Sequence, residues 1–137
     1  MAYRDADRAE AFRQALRAGG GGLFLVYGRS GTGKTLFLRD ALRDKRVLWL
    51  TSEQVRELLL EELRLRRPAE AAPYEYVVID NLESLRGEAT LQRFSALLDR
   101  WTAEGRTVAM TTCDPGRTGL RTRAPIRRLS AEVWLRG

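Results

Sequence analysis

Short apolar runs alternate along the chain with longer stretches in which apolar residues recur every three or four positions, and this alternation predicts the elements in order. Residues 5 to 18 (DADRAEAFRQALRA) place Ala9, Phe12, Ala15 and Leu16 on one face and charges on the other, which predicts an amphipathic helix. Gly19 to Gly22 end it and give a flexible entry to the first strand. That strand, Leu23 to Tyr27, is an unbroken apolar and aromatic run suited to burial, and a helix-forming LFLRDALRD comes soon after. Arg46 to Thr51 (RVLWLT) predicts a second buried parallel strand. A charged helix, EQVRELLLEELRLRR, runs up to Pro68, and the loop RPAEAAPY leads to a third strand, Glu75 to Asp80. Glu88 to Glu104 reads as a helix with Leu91, Phe94, Leu97, Leu98 and Trp101 on one face, a stripe that core packing explains. Thr107 to Thr112 (TVAMTT) is a fourth strand with a polar tip, and Leu129 to Leu135 closes the chain.

Strands alternating with helices predict an α/β fold, a parallel five-stranded sheet between two helical layers, with its ligand at the carboxyl ends of the strands. At 137 residues there is room for one domain with a core, since a chain of this size buries roughly 68% of its unfolded surface. The expected division is a single domain over 1–137, of which 1–22 form the N-terminal helix and glycine hinge. Gly137 comes soon after the fifth strand, so no helical lid domain is expected after the sheet. Neither an internal repeat nor a long low-complexity tract breaks the pattern.

The junction between the first strand and its helix carries the chemistry. It reads Gly28-Arg29-Ser30-Gly31-Thr32-Gly33-Lys34-Thr35, a phosphate-binding loop (P-loop, or Walker A) in its expected strand-to-helix setting. Glycines at 28, 31 and 33 allow sharp turns that bring backbone N–H groups to phosphate oxygens at the positive end of the next helix. Lys34 reaches the β- and γ-phosphates, and the Thr35 hydroxyl completes a Mg²⁺ shell. A glycine-rich turn matches these fixed positions by accident in on the order of one such chain in several hundred. The third strand ends in Val77-Val78-Ile79-Asp80, the form of a Walker B strand whose carboxylate holds a water of the Mg²⁺ shell. ATP and Mg²⁺ are the expected ligands.

Composition narrows the setting. The formal charge is +6, from 24 Lys and Arg against 18 Asp and Glu, which favours an anionic partner beyond the nucleotide itself. Cys113 is the only cysteine, so no internal disulfide can form and a reducing cytosol suits the chain. There is no His, which removes the usual zinc ligand and general base. No apolar run reaches the ~20 residues that cross a bilayer, and MAYRDADRAEAF is too charged for a signal peptide. A soluble cytoplasmic protein with no membrane partner is expected.

With these motifs placed, nearly the whole chain resembles the additional-strand P-loop ATPases. In that division a strand like Thr107 to Thr112 lies between the Walker A and Walker B strands, and a glutamate beside Mg²⁺ activates water. The RecA, RadA and KaiC group is similar at VLWLTSEQ, where Glu53 falls at the position of that group's catalytic glutamate, and at VVIDNLESL and SAEVWLRG. The AAA+ group near the replication initiator DnaA resembles LFLVYGRSGTGKT and VLWLTSEQVRELLLEELR. That group normally has an acidic residue after the Walker B aspartate; here it is Asn81, which is no useful base at neutral pH. The departure, with the absent lid, favours the compact RecA-like core, while the helix before a glycine hinge is more AAA-like.

Two readings of Glu53 stand side by side: general base for the attacking water, or an acidic residue placed at a helix start by the helix dipole. Thr112 is the candidate γ-phosphate sensor, with Thr111 as its alternative. Residues 117 to 128 (RTGLRTRAPIRR) hold Arg117, Arg121, Arg123, Arg127 and Arg128 without a carboxylate. The resemblance implies two uses for such a loop. One is contact with single-stranded DNA through Arg117, Arg121, Arg123 and Arg127; the other is an arginine, Arg128, that reaches a neighbouring subunit's γ-phosphate in a homo- or hetero-oligomer. The resulting expectation is an ATP-hydrolysing RecA/AAA-like protein of DNA recombination, repair or replication. Its rival is a nucleotide-dependent switch or assembly subunit that binds a protein partner and hydrolyses little.

Overall fold

A computed structural model of the chain describes residues 2–113 and 129–135, with side chains from residue 7 onward. In chain order these form α1 (Ala2–Ala18), β1 (Gly22–Tyr27), α2 (Lys34–Ala41), β2 (Val47–Thr51) and α3 (Ser52–Leu65). Then come β3 (Tyr76–Asp80), a 3₁₀ turn (Leu82–Ser84), α4 (Glu88–Ala103), β4 (Thr107–Thr112) and β5 (Ala131–Trp134). The predicted helices and strands are all present, with ends shifted by a few residues. The arginine-rich segment, including Arg117, Arg121, Arg123, Arg127 and Arg128, lies outside the described residues. Among the described residues no helix is long and apolar enough to cross a membrane.

All strand pairs are parallel, in the order β2-β3-β4-β1-β5. β4 therefore lies between β1, which feeds the glycine loop, and β3, which ends in Asp80. Its register along β1 is unbroken, Gly22 opposite Thr107 through Tyr27 opposite Thr112. All six β4 residues are buried. The expectation that RVLWLT is a buried strand is met only at Leu50, because β2 is an edge strand and Val47, Leu48 and Trp49 are half-exposed.

Strand side chains alternate between faces, and the alternation sorts them into two cores. Leu23, Leu25, Val77, Ile79, Val108 and Met110 face α3 and α4, where they meet Val55, Leu59 and the α4 stripe of Leu91, Phe94, Leu97, Leu98 and Trp101. Their neighbours Phe24, Val26, Tyr76, Val78, Ala109 and Val133 face α1 and α2, against Phe12, Leu16, Phe37, Leu38 and Ala41. Each fully buried Leu, Val or Phe contributes on the order of 1.5–3 kcal/mol, so the two layers together bind the helices to the sheet. Among the described residues there is no helical lid; the three layers are the whole of the described architecture.

Polar bonds fix the outer elements. α1 is tied down where Arg17 donates to Ala41 O (2.8 Å) and to both oxygens of Asp44 (2.6 and 2.9 Å), while the Tyr76 hydroxyl donates to Arg17 O (2.8 Å). The loop after α3 is anchored on Ala69: its N–H donates to Glu62, and its carbonyl accepts from Trp101 Nε1 (3.2 Å) and Arg100 (3.1 Å). Arg100 also pairs with Glu62. α3 stops at Arg66 in the left-handed region (φ 52°), two residues before Pro68 bars further helix.

Candidate nucleotide site

Residues 28–35 join the carboxyl end of β1 to the first turn of α2. Gly31 and Gly33 have φ of 83° and 85°, conformations that side chains rarely adopt, and the space where a Cβ would project is open at both. Gly28 is needed for a different reason: a Cβ there would stand 2.5 Å from the Leu135 carbonyl and 2.9 Å from the Thr32 hydroxyl. The loop is braced internally, since both Thr32 N and Thr32 Oγ1 donate to Arg29 O (3.2 and 2.8 Å). Gly28 N donates to Thr112 O (3.2 Å), which fixes the loop's start on β4. Lys34 Nζ lies over the loop, donating to the carbonyls of Gly28 (2.6 Å) and Arg29 (3.1 Å). Arg29 and Ser30 are exposed at the rim.

Thr35, on the first turn of α2, donates through Oγ1 to Asp80 Oδ2 (3.1 Å). The other carboxylate oxygen of Asp80 accepts from Thr111 Oγ1, which also accepts from Asn81 N (2.9 Å). Ser52 Oγ donates to the carbonyls of Asp80 (2.9 Å) and Asn81, pinning the end of β3 to the start of α3. A hydroxyl and a carboxylate, both hard oxygen donors, thus meet beside an open glycine cradle at the N-terminus of a helix. That donor set fits Mg²⁺ and phosphate.

The structure separates the two threonines named from sequence. Thr111 is bound to Asp80; Thr112 is fully buried, and its hydroxyl bonds Glu83. The group that does reach the loop is Cys113, exposed at the end of β4, with Sγ 3.7 Å from Ser30 Oγ. Cys113 also donates to Glu83, from Sγ to Oε1 (3.0 Å) and from N to Oε2 (3.3 Å). The Asn81 amide lies between Ser84 Oγ (2.9 Å) and the Glu83 carboxylate, and satisfies both when its oxygen faces the hydroxyl and its N–H₂ faces Glu83. Burial acts to raise the Glu83 carboxyl, but the donors from Cys113 and Thr112 outweigh it and hold the group below the usual glutamate range.

Glu53 is on the first turn of α3, exposed, and its carboxylate has no partner among the described residues. The helix cap itself is Thr51: its hydroxyl accepts from Gln54 N (3.1 Å), while Gln54 Oε1 accepts from Thr51 N (2.9 Å). Glu53 therefore occupies the dipole-favoured position without being the cap, and it lines a cleft of about 760 Å³ beside Asp80 with Ser52, Arg56, Asn81, Glu83, Ser84 and Arg86. Of the residues named from sequence, the structure joins Thr35 and Asp80 beside the loop and places Glu53 in the adjoining cleft. The contacts of Glu83, Cys113 and Ser52 have no signal in the sequence, because they depend on a 3₁₀ turn and a left-handed Asn81 (φ 70°) that periodicity does not reveal.

A glycine loop between a central parallel strand and a helix, with a strand-end aspartate facing the helix's first threonine, defines a P-loop NTPase fold. No family model matches the chain, and neither does any curated protein. Solved structures do match it. They include a DNA replication initiation factor (TM-score 0.72, 20% identity, over 92% of this chain and 44% of that one). AMPPCP-bound DnaA from Aquifex aeolicus is similar (0.71, 19%, 92% and 44%), as is the replication initiator DnaA bound to AMPPCP and single-stranded DNA (0.73, 20%, 93% and 45%). The chain spans less than half the length of these three structures. What they share with this chain is the fold.

Proposed function

We propose that the chain is a single nucleotide-binding domain that takes up ATP with Mg²⁺, hydrolyses it and serves DNA replication, recombination or repair in the cytoplasm. The observation that carries the reading is the Thr35–Asp80 hydrogen bond at the foot of an open glycine cradle. Gly28, Arg29, Ser30, Gly31, Thr32, Gly33, Lys34 and Thr35 hold the phosphates, and Thr35 and Asp80 hold Mg²⁺, which screens phosphate charge when bound. Lys34, held over the loop by two carbonyls, has a third N–H free for a phosphate oxygen. Glu53, unpartnered beside Asp80, orients the attacking water. Thr112 supports the site through its backbone bond to Gly28, and Arg128 acts on a neighbouring subunit's nucleotide. Replication is favoured among the three processes by the DnaA neighbours, one of them bound to single-stranded DNA.

One observation favours the second reading, a switch that hydrolyses little and binds a protein partner. Asp80 is followed by Asn81, whose amide is engaged with Ser84 and Glu83, so no carboxylate occupies that position.

Ligand linkage tests nucleotide binding. ATP-Mg²⁺ at ~100 times its dissociation constant stabilises the wild type by about 2.7 kcal/mol and Lys34→Ala hardly at all. Equal thermal shifts in the two proteins refute the loop's role. Anisotropy of labelled single-stranded DNA across salt tests the arginines. Three to five phosphate contacts give a log–log slope of roughly −2 to −3.5, made shallower by changing Arg121 and Arg123 together to Ala. A slope that does not respond removes the DNA assignment.

A further inference from the structure

α3 buries Ser52, Val55 and Leu59 and turns its opposite face to solvent. That outer face is not uniformly polar. Leu60 is 57% exposed, and Leu63 beside it is 49% exposed. Glu57, Leu60, Glu61 and Arg64 together line a shallow hollow of about 300 Å³. Their spacing, i, i+3, i+4 and i+7, is that of the four residues which form the hole for a knob side chain from a facing helix. Arg56, one turn before Leu60, is drawn aside and donates to Ser84 O (2.7 Å). Charge along the face changes sign at Leu60: Glu53 and Glu57 precede it, while Arg64, Arg66 and Arg67 follow, all of them exposed. Arg64 pairs with Glu61 at 3.6 Å, an exposed contact within one helix that is worth little by itself.

We propose that this face of α3 docks against the same face of a second copy of the chain, with the two helices antiparallel about a two-fold axis beside Leu60. Each Leu60 fills the hollow of the other copy, and each Glu57 meets Arg64 of the partner subunit. The order of charge selects this arrangement. A parallel pair sets glutamate beside glutamate and arginine beside arginine, whereas reversal makes α3 its own complement, as a two-fold contact requires. One helix per copy buries less than the ~1,200 Å² at which standard stable interfaces begin, so the dimer is weak and depends on concentration. Glu57, Leu60 and Arg64 lie outside the glycine loop and the Thr35–Asp80 pair, so association is separable from nucleotide binding.

Sedimentation velocity of the full chain without nucleotide, over about 10 to 500 μM, tests the contact. The wild type is expected to pass from monomer to dimer within that range. Leu60→Glu is expected to weaken association by about 10-fold or more, and Glu57→Arg and Arg64→Glu by about 5- to 10-fold each. An equimolar mixture of the Glu57→Arg and Arg64→Glu chains is expected to recover the wild-type dimer, because opposite charges then face each other at both ends of the contact. Circular dichroism checks that each variant keeps its helices, as substitution at exposed positions allows. A wild type that stays monomeric throughout overturns the proposal, as does a dimer that Leu60→Glu leaves intact. A mixture that associates no better than either variant alone overturns it too, and that result is independent of any loss of stability in a single variant.

Discussion

Thr35 and Asp80, 45 residues apart in the chain, are joined by one hydrogen bond of 3.1 Å from hydroxyl to carboxylate. Asp80 keeps that orientation because Thr111 holds its other oxygen and Ser52 holds its backbone carbonyl. The protein's own side chains thus orient the aspartate, and such pre-organisation lowers the cost of binding.

Asp80→Asn should therefore affect nucleotide binding only through Mg²⁺. Equilibrium binding of labelled ATP is expected to weaken by about 10-fold or more in Mg²⁺ and to stay within about 2-fold of wild type in EDTA. Equal losses under both conditions would make Asp80 a structural residue.

Substitutions at Glu53 and Thr51 separate the proposed catalytic role from helix capping. Thr51→Ala removes the capping box and should cost about 1 kcal/mol of stability in denaturant unfolding, with little effect on turnover. Glu53→Gln should cost only a few tenths of that, while lowering ATP turnover by roughly 10²-fold. If Glu53→Gln turns over ATP at the wild-type rate, the water is oriented by another group.

The core makes its own prediction. Trp101 is wholly buried and its indole N–H donates to Ala69 O, so Trp101→Ala removes packing and one of the two donors to that carbonyl, leaving it to Arg100 alone. The expected loss is about 3–5 kcal/mol. Urea unfolding measures it, and a loss under about 1 kcal/mol would mean that α4 repacks over the gap.

Acid should act on the α1 anchor. The hydrogen bonds from the Arg17 guanidinium hold the Asp44 carboxyl far below the usual range, although desolvation pulls the other way. A carboxyl lowered in the folded state adds stability above its unfolded value, near ~3.9, and loses that contribution as pH falls through the folded value. Asp44→Asn should thus lower Tm slightly at pH 7, with the gap to wild type closing below about pH 4. Both partners are well exposed, so added salt should shrink the gap at pH 7 too. A gap independent of pH and salt would exclude the ion pair as its cause.

Much of the fold is legible in the sequence because its signals are local. The 3.6-residue stripe of α4, the apolar runs of β1 and β3 and the glycine spacing each speak for themselves, and β4's place between β1 and β3 comes from the resemblance. The edge position of β2 is not legible, since Val47, Leu48 and Trp49 read as apolar whether or not a neighbour covers them. In the site, Thr35 and Asp80 come from motifs. Adjacent polar residues at a strand end are equivalent in sequence, so nothing there decides between Thr112 and Thr111; only the pleat shows that one faces Glu83 and the other faces Asp80. Cys113 speaks in sequence of redox compartment alone, because nothing in the linear chain places it beside Ser30.

β4 also works as a ruler. Its pairing with β1 begins at Gly22 and Thr107 and ends at Tyr27 and Thr112, so the count of residues between those ends decides which side chains arrive at the rim. Thr111 reaches Asp80, Thr112 reaches Glu83 and Cys113 reaches Ser30, in that order. Adding or removing a single residue in the strand would advance the sequence by one step and turn each of these groups to the opposite face. The chemistry of the rim is thus written in the length of a buried strand.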